Sequence, residues 1–225
     1  MRRTKRRDAR GQTLIEFLFV MLWAVPFLLI TIALGINLIE GLEVIQLARD
    51  TASMYARQID LTTDAGHDML DRIGNSLNLK TGDATNSQAV IVMSALTYMD
   101  PNACATAVSQ GCACTNTGNW VFTQYQILPA GSTIAAQSMY GNPASASNLV
   151  SNGVIKLCKS GDGYSSNAAA LAVGFSARGI TPWNAGLGYG IPSGQLVYNV
   201  EVTANGYAVP GLINAPARIF NYAIF

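Results

Sequence analysis

Cys104, Cys112, Cys114 and Cys158 are the four cysteines of this 225-residue chain, and His67 is its one histidine. Thiolates and imidazoles hold zinc, while paired thiols oxidise to disulfides. Zinc suits this set poorly. Cys112-x-Cys114 is tighter than the usual two-to-four-residue ligand spacing, and His67 falls on an expected helix beside Asp64, Asp68 and Asp71, where it reads as solvated surface. An even count in an oxidising compartment favours two disulfides. Cys112 and Cys114 are too close to prefer each other, so each pairs with one of the outer two. Cys104 to Cys112 or to Cys114 clips a local loop, and the remaining cysteine joins Cys158. The spacing leaves both pairings open.

Catalysis would need a credible acid, base and nucleophile. The chain has no Gly-x-Ser-x-Gly, no Walker-type loop and no His-Glu-x-x-His. Asp162 in "SGDGYSSN" offers calcium a single carboxylate, and a Gly-Asp turn is the simpler reading. Trp120, Trp183 and Tyr189 form a binding patch or, more simply, pack in a core or turns. No catalytic residue, metal or cofactor is therefore expected, and the chain does not read as an enzyme.

One carboxylate asks for a reason. Glu16, in "RGQTLIEF", stands at the mouth of 23 consecutive uncharged residues, 17–39, "FLFVMLWAVPFLLITIALGINLI". A charge at a bilayer centre costs roughly 2.5–3.5 kcal/mol on insertion scales, and ionisable groups near a span are functional candidates. At about 1.5 Å per residue, the run is long enough to cross a hydrocarbon core of about 30 Å.

The near-neutral formal charge of +1 conceals an asymmetry. Before Gln12, six basic side chains stand against Asp8, giving +5; the remaining eight basic and twelve acidic residues give −4. A basic block beside an apolar span stays cytoplasmic, so residues 40–225 are expected to be exported. The span accounts for the basic block without a nucleic-acid partner. An ordinary secretory signal would have a shorter apolar core, of about 7–15 residues, although Ala33-Leu34-Gly35 imitates its cleavage site.

The helix is expected to continue beyond the span to about residue 60. Ile45, Ala48, Ala52, Tyr55 and Ile59 recur in steps of three and four. Pro26 lacks the N–H that would pair with the Leu22 carbonyl, which predicts a kink. Gly35 and Gly41 permit close helix–helix approach. A second helix is predicted over 64–79, capped by Thr63 or Asp64, with Met69, Leu70, Ile73 and Leu77 as its apolar stripe. "LKTGDATNSQ" then ends the helical half. Strands are predicted over 89–99, 120–128, 195–209 and 217–225, with shorter ones near 154–157 and 171–175. In "LVYNVEV", Val197, Asn199 and Glu201 share one face, and Leu196, Tyr198, Val200 and Val202 the other. Asn205-Gly206 is a hairpin-turn signal. Residues 129–195 are dense in Gly, Ser, Asn and Ala, which predicts long loops.

A basic leader, Gly11, Glu16 at the fifth position after it and a long apolar helix together resemble a class III, type IV pilin-like signal. More narrowly, "RRDARGQTLIEF", the span and "GLEVIQLARDTASMYARQ" resemble TadE-like pseudopilins of tight-adherence (Flp) pilus systems. The resemblance covers residues 7–58. It implies that a prepilin peptidase cuts between Gly11 and Gln12 on the cytoplasmic face of the bacterial inner membrane. It also implies that Glu16 is the carboxylate that meets the new terminal amine of a neighbouring subunit. Phe17 after Glu16, where major pilins tend to carry Tyr, and the large head point to a minor pilin. The implied partners are the peptidase, other pilins, the inner-membrane assembly platform and membrane lipid. The expected fold is α+β: a cleaved leader (1–11), a transmembrane and extended amphipathic helix (12–60), a second helix and linker (61–82), and a mainly antiparallel β-sheet head with long loops (83–225). The alternative is an uncleaved, signal-anchored envelope binding protein.

Overall fold

A computed structural model describes residues 5–135, 137–146, 148–158, 163–178, 182, 190–192, 194–207 and 218–225, with side chains in the first helix described from Thr13 on. The fold is α+β, a long N-terminal helix followed by an antiparallel sheet. Helix α1 (Lys5–Ala56) runs unbroken through Pro26. It stops where Gln58 turns left-handed at φ 60°. There the Gln58 N–H donates to the Tyr55 carbonyl (2.9 Å) and the Ile59 N–H to the Met54 carbonyl (3.2 Å). That bond pair is a Schellman cap, a position that usually takes glycine.

Helix α2 (Asp64–Ile73) is capped by Thr63, whose hydroxyl accepts from the Gly66 N–H at 3.2 Å. It is shorter than predicted, with Asn75–Leu77 continuing as a single 3-10 turn. Of its expected stripe, Leu70 and Leu77 are buried, whereas Met69 and Ile73 remain largely exposed.

The sheet has six strands in the order β3-β4-β2-β1-β5-β6. They are β1 (Ala89–Tyr98), β2 (Trp120–Leu128), β3 (Val150–Ser151), β4 (Val154–Ile155), β5 (Val197–Asn205) and β6 (Arg218–Ile224). Every pairing is antiparallel. The four long strands coincide with the four predicted runs to within a few residues. Helix α3 (Pro101–Ser109), between β1 and β2, was not anticipated. The predicted strand at 171–175 is a lone bridge, Val121 to Leu171, because Gly174 at φ 75° turns the chain away from an extended path. Asn205-Gly206 does not make a tight hairpin: Asn205 pairs with Arg218, so a long connection separates β5 from β6. The two-residue turn falls instead at Asn152-Gly153 between β3 and β4. Both residues there are left-handed (φ 50° and 75°), as a type I′ turn requires.

Both faces of the sheet are covered. On one face, Val44, Leu47, Ala48 and Ala52 of α1 join Leu61, Leu70, Leu77 and Leu79 against Ile91, Met93, Val200 and Val202. Of the predicted stripe, Ala48 and Ala52 are in this core and Tyr55 packs against it, while Val44 and Leu47 widen it and Ile45 and Ile59 lie at or beyond its margin. On the other face, Trp120, Phe122, Tyr125, Tyr140, Leu149 and Phe175 pack over Val92, Leu96 and Val197. The second face buries what looked like the polar side of β5. Asn199 and Glu201 are 0% and 2% exposed there.

Candidate functional site

Among the described residues, nothing buries the N-terminal part of α1. All residues from 13 to 32 are exposed, and the first buried one is Ala33. That segment rises about 30 Å, the thickness of a bilayer core. Its surface is apolar in every direction, with Leu14, Phe17, Phe19, Trp23 and Phe27 each more than half exposed. A helix hydrophobic all round, with nothing among the described residues packed on it, suits lipid rather than water. It is the one helix, among the described residues, long and apolar enough to cross a membrane.

The head begins earlier than the uncharged run ends. Asn37, an amide inside that run, donates from Nδ2 to the Ala33 carbonyl at 2.9 Å and to the Tyr207 carbonyl at 3.3 Å. The Tyr207 N–H donates in return to Asn37 Oδ1 at 2.9 Å and to Glu40 Oε2 at 3.0 Å. The end of β5 is thereby fastened to α1 just above the exposed segment. The sequence signal was present: a lone amide in an apolar run needs a partner, because an unpaired one is costly away from water.

This boundary moves Glu16 inward. If the exposed segment beginning at Thr13 fills the hydrocarbon, Glu16 lies about 4.5 Å inside it. The Glu16 side chain is exposed on the helix surface. Gly11 and Gln12 lie on the same helix, in the first turns for which only the backbone is described. A Cβ added at Gly35 or Gly41 would meet nothing within 4 Å, so neither glycine is required for packing inside this chain.

At the other end of the molecule the cysteines form two bridges, Cys104–Cys114 and Cys112–Cys158. Their Cα atoms stand 5.6 and 5.8 Å apart, ordinary spans for a disulfide. The first clips the N-terminal half of α3 to the loop that follows the helix. The second ties that loop to the segment after β4. Asn116 reinforces the tie, donating from Nδ2 to the carbonyls of Tyr164 (2.8 Å) and Asn167 (2.9 Å). His67 is half-buried on α2 rather than fully solvated, and its Nε2 has no hydrogen-bond partner among the described residues. No three His, Cys, Asp or Glu side chains converge as a metal site among the described residues. Trp120 is a core residue, 2% exposed, stacked edge-on to Phe175 with ring centroids 5.1 Å apart. Asp162, Trp183 and Tyr189 lie outside the described residues.

Sequence reasoning also missed the polar cluster under the second face. The Glu201 carboxylate accepts from Ser138 Oγ, from the Met139 N–H at 2.8 Å and from Asn199 Nδ2 at 2.9 Å. The Ser138 N–H donates to the Tyr125 hydroxyl at 3.0 Å. Burial is the main cause that pushes the Tyr125 hydroxyl up to about 12, with the Glu201 charge adding to it. The cluster fastens the 137–140 segment to the sheet, and its groups are turned toward one another rather than toward solvent. No protein-family model, no curated protein and no solved structure matches the chain.

Proposed function

We propose that this chain is a TadE-like minor pilin or pseudopilin, cut after Gly11 by a prepilin peptidase and held in the bacterial inner membrane by α1 with its head exported. It serves in building or decorating a tight-adherence pilus or a related secretion machine, through assembly rather than catalysis. One observation carries the reading: Gly11 and Glu16 stand, five residues apart, at the basic end of an apolar helix that is exposed from Thr13 to Ile32 and whose far half is built into a disulfide-bonded head.

The chemistry follows from those positions. Hydrolysis of the Gly11–Gln12 peptide bond places a new amine on Gln12, with a reference pKa of about 7.7–8. Glu16 lies one helical turn further on, about 6 Å along the axis. A carboxylate there is favoured by the helix dipole, yet it is poorly solvated in lipid. Pairing with the terminal amine of a neighbouring subunit offsets that cost and fixes the axial register between the two helices. The open surroundings of Gly35 and Gly41 support such side-by-side packing. The six basic residues before Gln12 support an inward N-terminus. Disulfides support an oxidising compartment for the head.

The mature N-terminus tests this, read by intact mass and peptide mapping of protein extracted from membranes. A terminus at Gln12 that is lost in Gly11→Ala is the expected result, with Glu16→Ala still cut but failing to assemble. A terminus at Met1 removes the pilin reading and leaves a signal-anchored envelope protein. A terminus at Ile36 makes the chain an ordinary secreted one.

A further inference from the structure

A groove of about 480 Å³ opens where the end of α1 meets the sheet, between the Schellman cap and the β3–β4 turn. Its volume is in the range of small-ligand sites. Its walls combine two aromatic rings and the aliphatic side chains of Ile59, Val154 and Leu196 with planar polar groups. Tyr55 and Tyr198 meet edge to face, centroids 5.1 Å apart, and both are half-buried. The Tyr55 hydroxyl donates to Gln124 Oε1 at 2.7 Å, which engages the carbonyl of that amide and keeps its N–H groups for another acceptor. Gln126 and Asn152 bring two more amides, and Asp60 a carboxylate.

The Asp60 carboxylate accepts from both the hydroxyl (2.6 Å) and the N–H (2.9 Å) of Thr62. Those hydrogen bonds hold it below the usual carboxylate range, so it is ionised at neutral pH and acts purely as an acceptor. No lysine or arginine lines the groove among the described residues. An anionic ligand would therefore meet a negative charge with nothing to balance it.

We infer that this groove binds a neutral saccharide. A sugar ring offers what these walls match: C–H faces that pack on Tyr55 and Tyr198, and adjacent hydroxyls that both donate and accept. Side-chain amides pair with such hydroxyl pairs in one plane, and Asp60 takes two hydroxyl protons in charge-assisted bonds. A lipid tail would meet four side-chain amides and an ionised carboxylate to which it can offer no hydrogen bond. Position agrees with this choice. Tyr55 lies about 35 Å along α1 from the last exposed residue of the apolar segment, Ile32, and so faces the aqueous side. The rim also carries two residues whose backbone is left-handed, Gln58 (φ 60°) and Asn152 (φ 50°). A glutamine kept where glycine is favoured is a strained position, of the kind that collects at binding sites. The inference concerns the head alone and does not depend on processing at Gly11.

The test is saturation-transfer NMR on the full chain in phospholipid nanodiscs, which avoids glycosidic detergents. The probes are maltotriose, cellotriose and tri-N-acetylchitotriose, with a hyaluronan tetrasaccharide as the anionic comparison. The expected result is transfer to the ring protons of at least one neutral probe. That binding weakens at least tenfold in Gln126→Ala, a change at the sheet surface that leaves the core intact, and in Tyr198→Leu. No transfer to any neutral probe would overturn the proposal. So would equal transfer in the wild type and both variants, or a preference for the anionic probe.

Discussion

The Tyr207 backbone and the Asn37 side chain bond to each other in both directions across 170 residues of sequence, the Tyr207 N–H donating to Asn37 Oδ1 at 2.9 Å and Asn37 Nδ2 to the Tyr207 carbonyl at 3.3 Å. This contact joins the end of β5 to α1 at the point where the helix passes from exposed to packed. It fixes how far the head descends along α1, and hence how much apolar helix is left exposed.

Asn37→Leu extends the apolar run and removes this contact. Glu40 Oε2 still accepts from the Tyr207 N–H at 3.0 Å, so the loss is partial. A cost of about 1 kcal/mol is expected, the net worth of an ordinary hydrogen-bonded contact. Hydrogen exchange at the Tyr207 amide then rises roughly fivefold, while exchange in β1 and β2 stays the same. Unchanged exchange at Tyr207 would show that the latch contributes nothing in lipid.

Tyr125 sets an alkaline limit on the head. Its hydroxyl ionises near 10 in an unfolded chain and at about 12 in the fold. The unfolded state therefore gives up its proton first as pH rises. The stability that Tyr125 contributes is complete below about pH 10 and is lost as pH climbs from there to about 12. Urea midpoints measured across that window should fall, together with a delayed rise in tyrosinate absorbance. Tyr125→Phe should make the fall shallower. It should also lower stability at neutral pH, because the Ser138 N–H loses its acceptor. A midpoint independent of pH over the window, in the wild type, would contradict the buried placement of this hydroxyl.

The two disulfides should differ in worth. Cys104–Cys114 closes a separation of 10 residues and Cys112–Cys158 one of 46. Loop-closure entropy then gives about 2.7 and about 4 kcal/mol respectively. Replacing each pair by serine and measuring denaturant midpoints should rank the second pair as the more costly. Non-reducing peptide mapping checks the pairing itself. A Cys104–Cys112 peptide in the native protein would overturn it.

Much of the fold was legible because it follows period and composition. The runs at 89–99, 120–128 and 217–225 became β1, β2 and β6 almost residue for residue, since β-branched and aromatic residues crowd there between turn signals. What was misread depended on contacts distant in sequence. Alternation placed Glu201 on one face of β5 with Val197 and Asn199, and the loop carrying Ser138 and Met139, more than sixty residues away, is what buries its carboxylate there. The two Asn-Gly pairs had the same local claim to a hairpin, and strand pairing selected Asn152-Gly153 over Asn205-Gly206. Helix α3 had its own signal in Asp100 as N-cap, accepting from the Ala103 N–H at 2.7 Å, with Pro101 at the first helical position. The cysteines of that stretch drew attention to bridging and away from its cap. The candidate site divides in the same way. Glu16 and the apolar run stand out in one short stretch, whereas the Asn37–Tyr207 latch and the groove around Tyr55 and Tyr198 exist only once the chain has folded.

The latch also changes where the membrane should lie, and Trp23 can report it. With the uncharged run 17–39 as the span, the centre falls at residue 28. With the exposed segment 13–32, it falls between residues 22 and 23. Trp23 lies about 7.5 Å from the centre in the first placement and less than about 1 Å from it in the second, a difference in depth of about 7 Å. Trp23 is 76% exposed on the helix, whereas Trp120 is sealed in the core of the head, so a quencher dissolved in lipid acts on the first and spares the second. Phospholipids brominated at different positions along the acyl chain give the depth profile. Quenching strongest with bromine near the chain ends places Trp23 at the bilayer centre and Glu16 within the hydrocarbon, where its carboxylate needs a partner. Quenching strongest at a shallower bromine places residues 33–39 in lipid. The head would then have to lift from α1 to admit them, and Asn37 could not hold Tyr207.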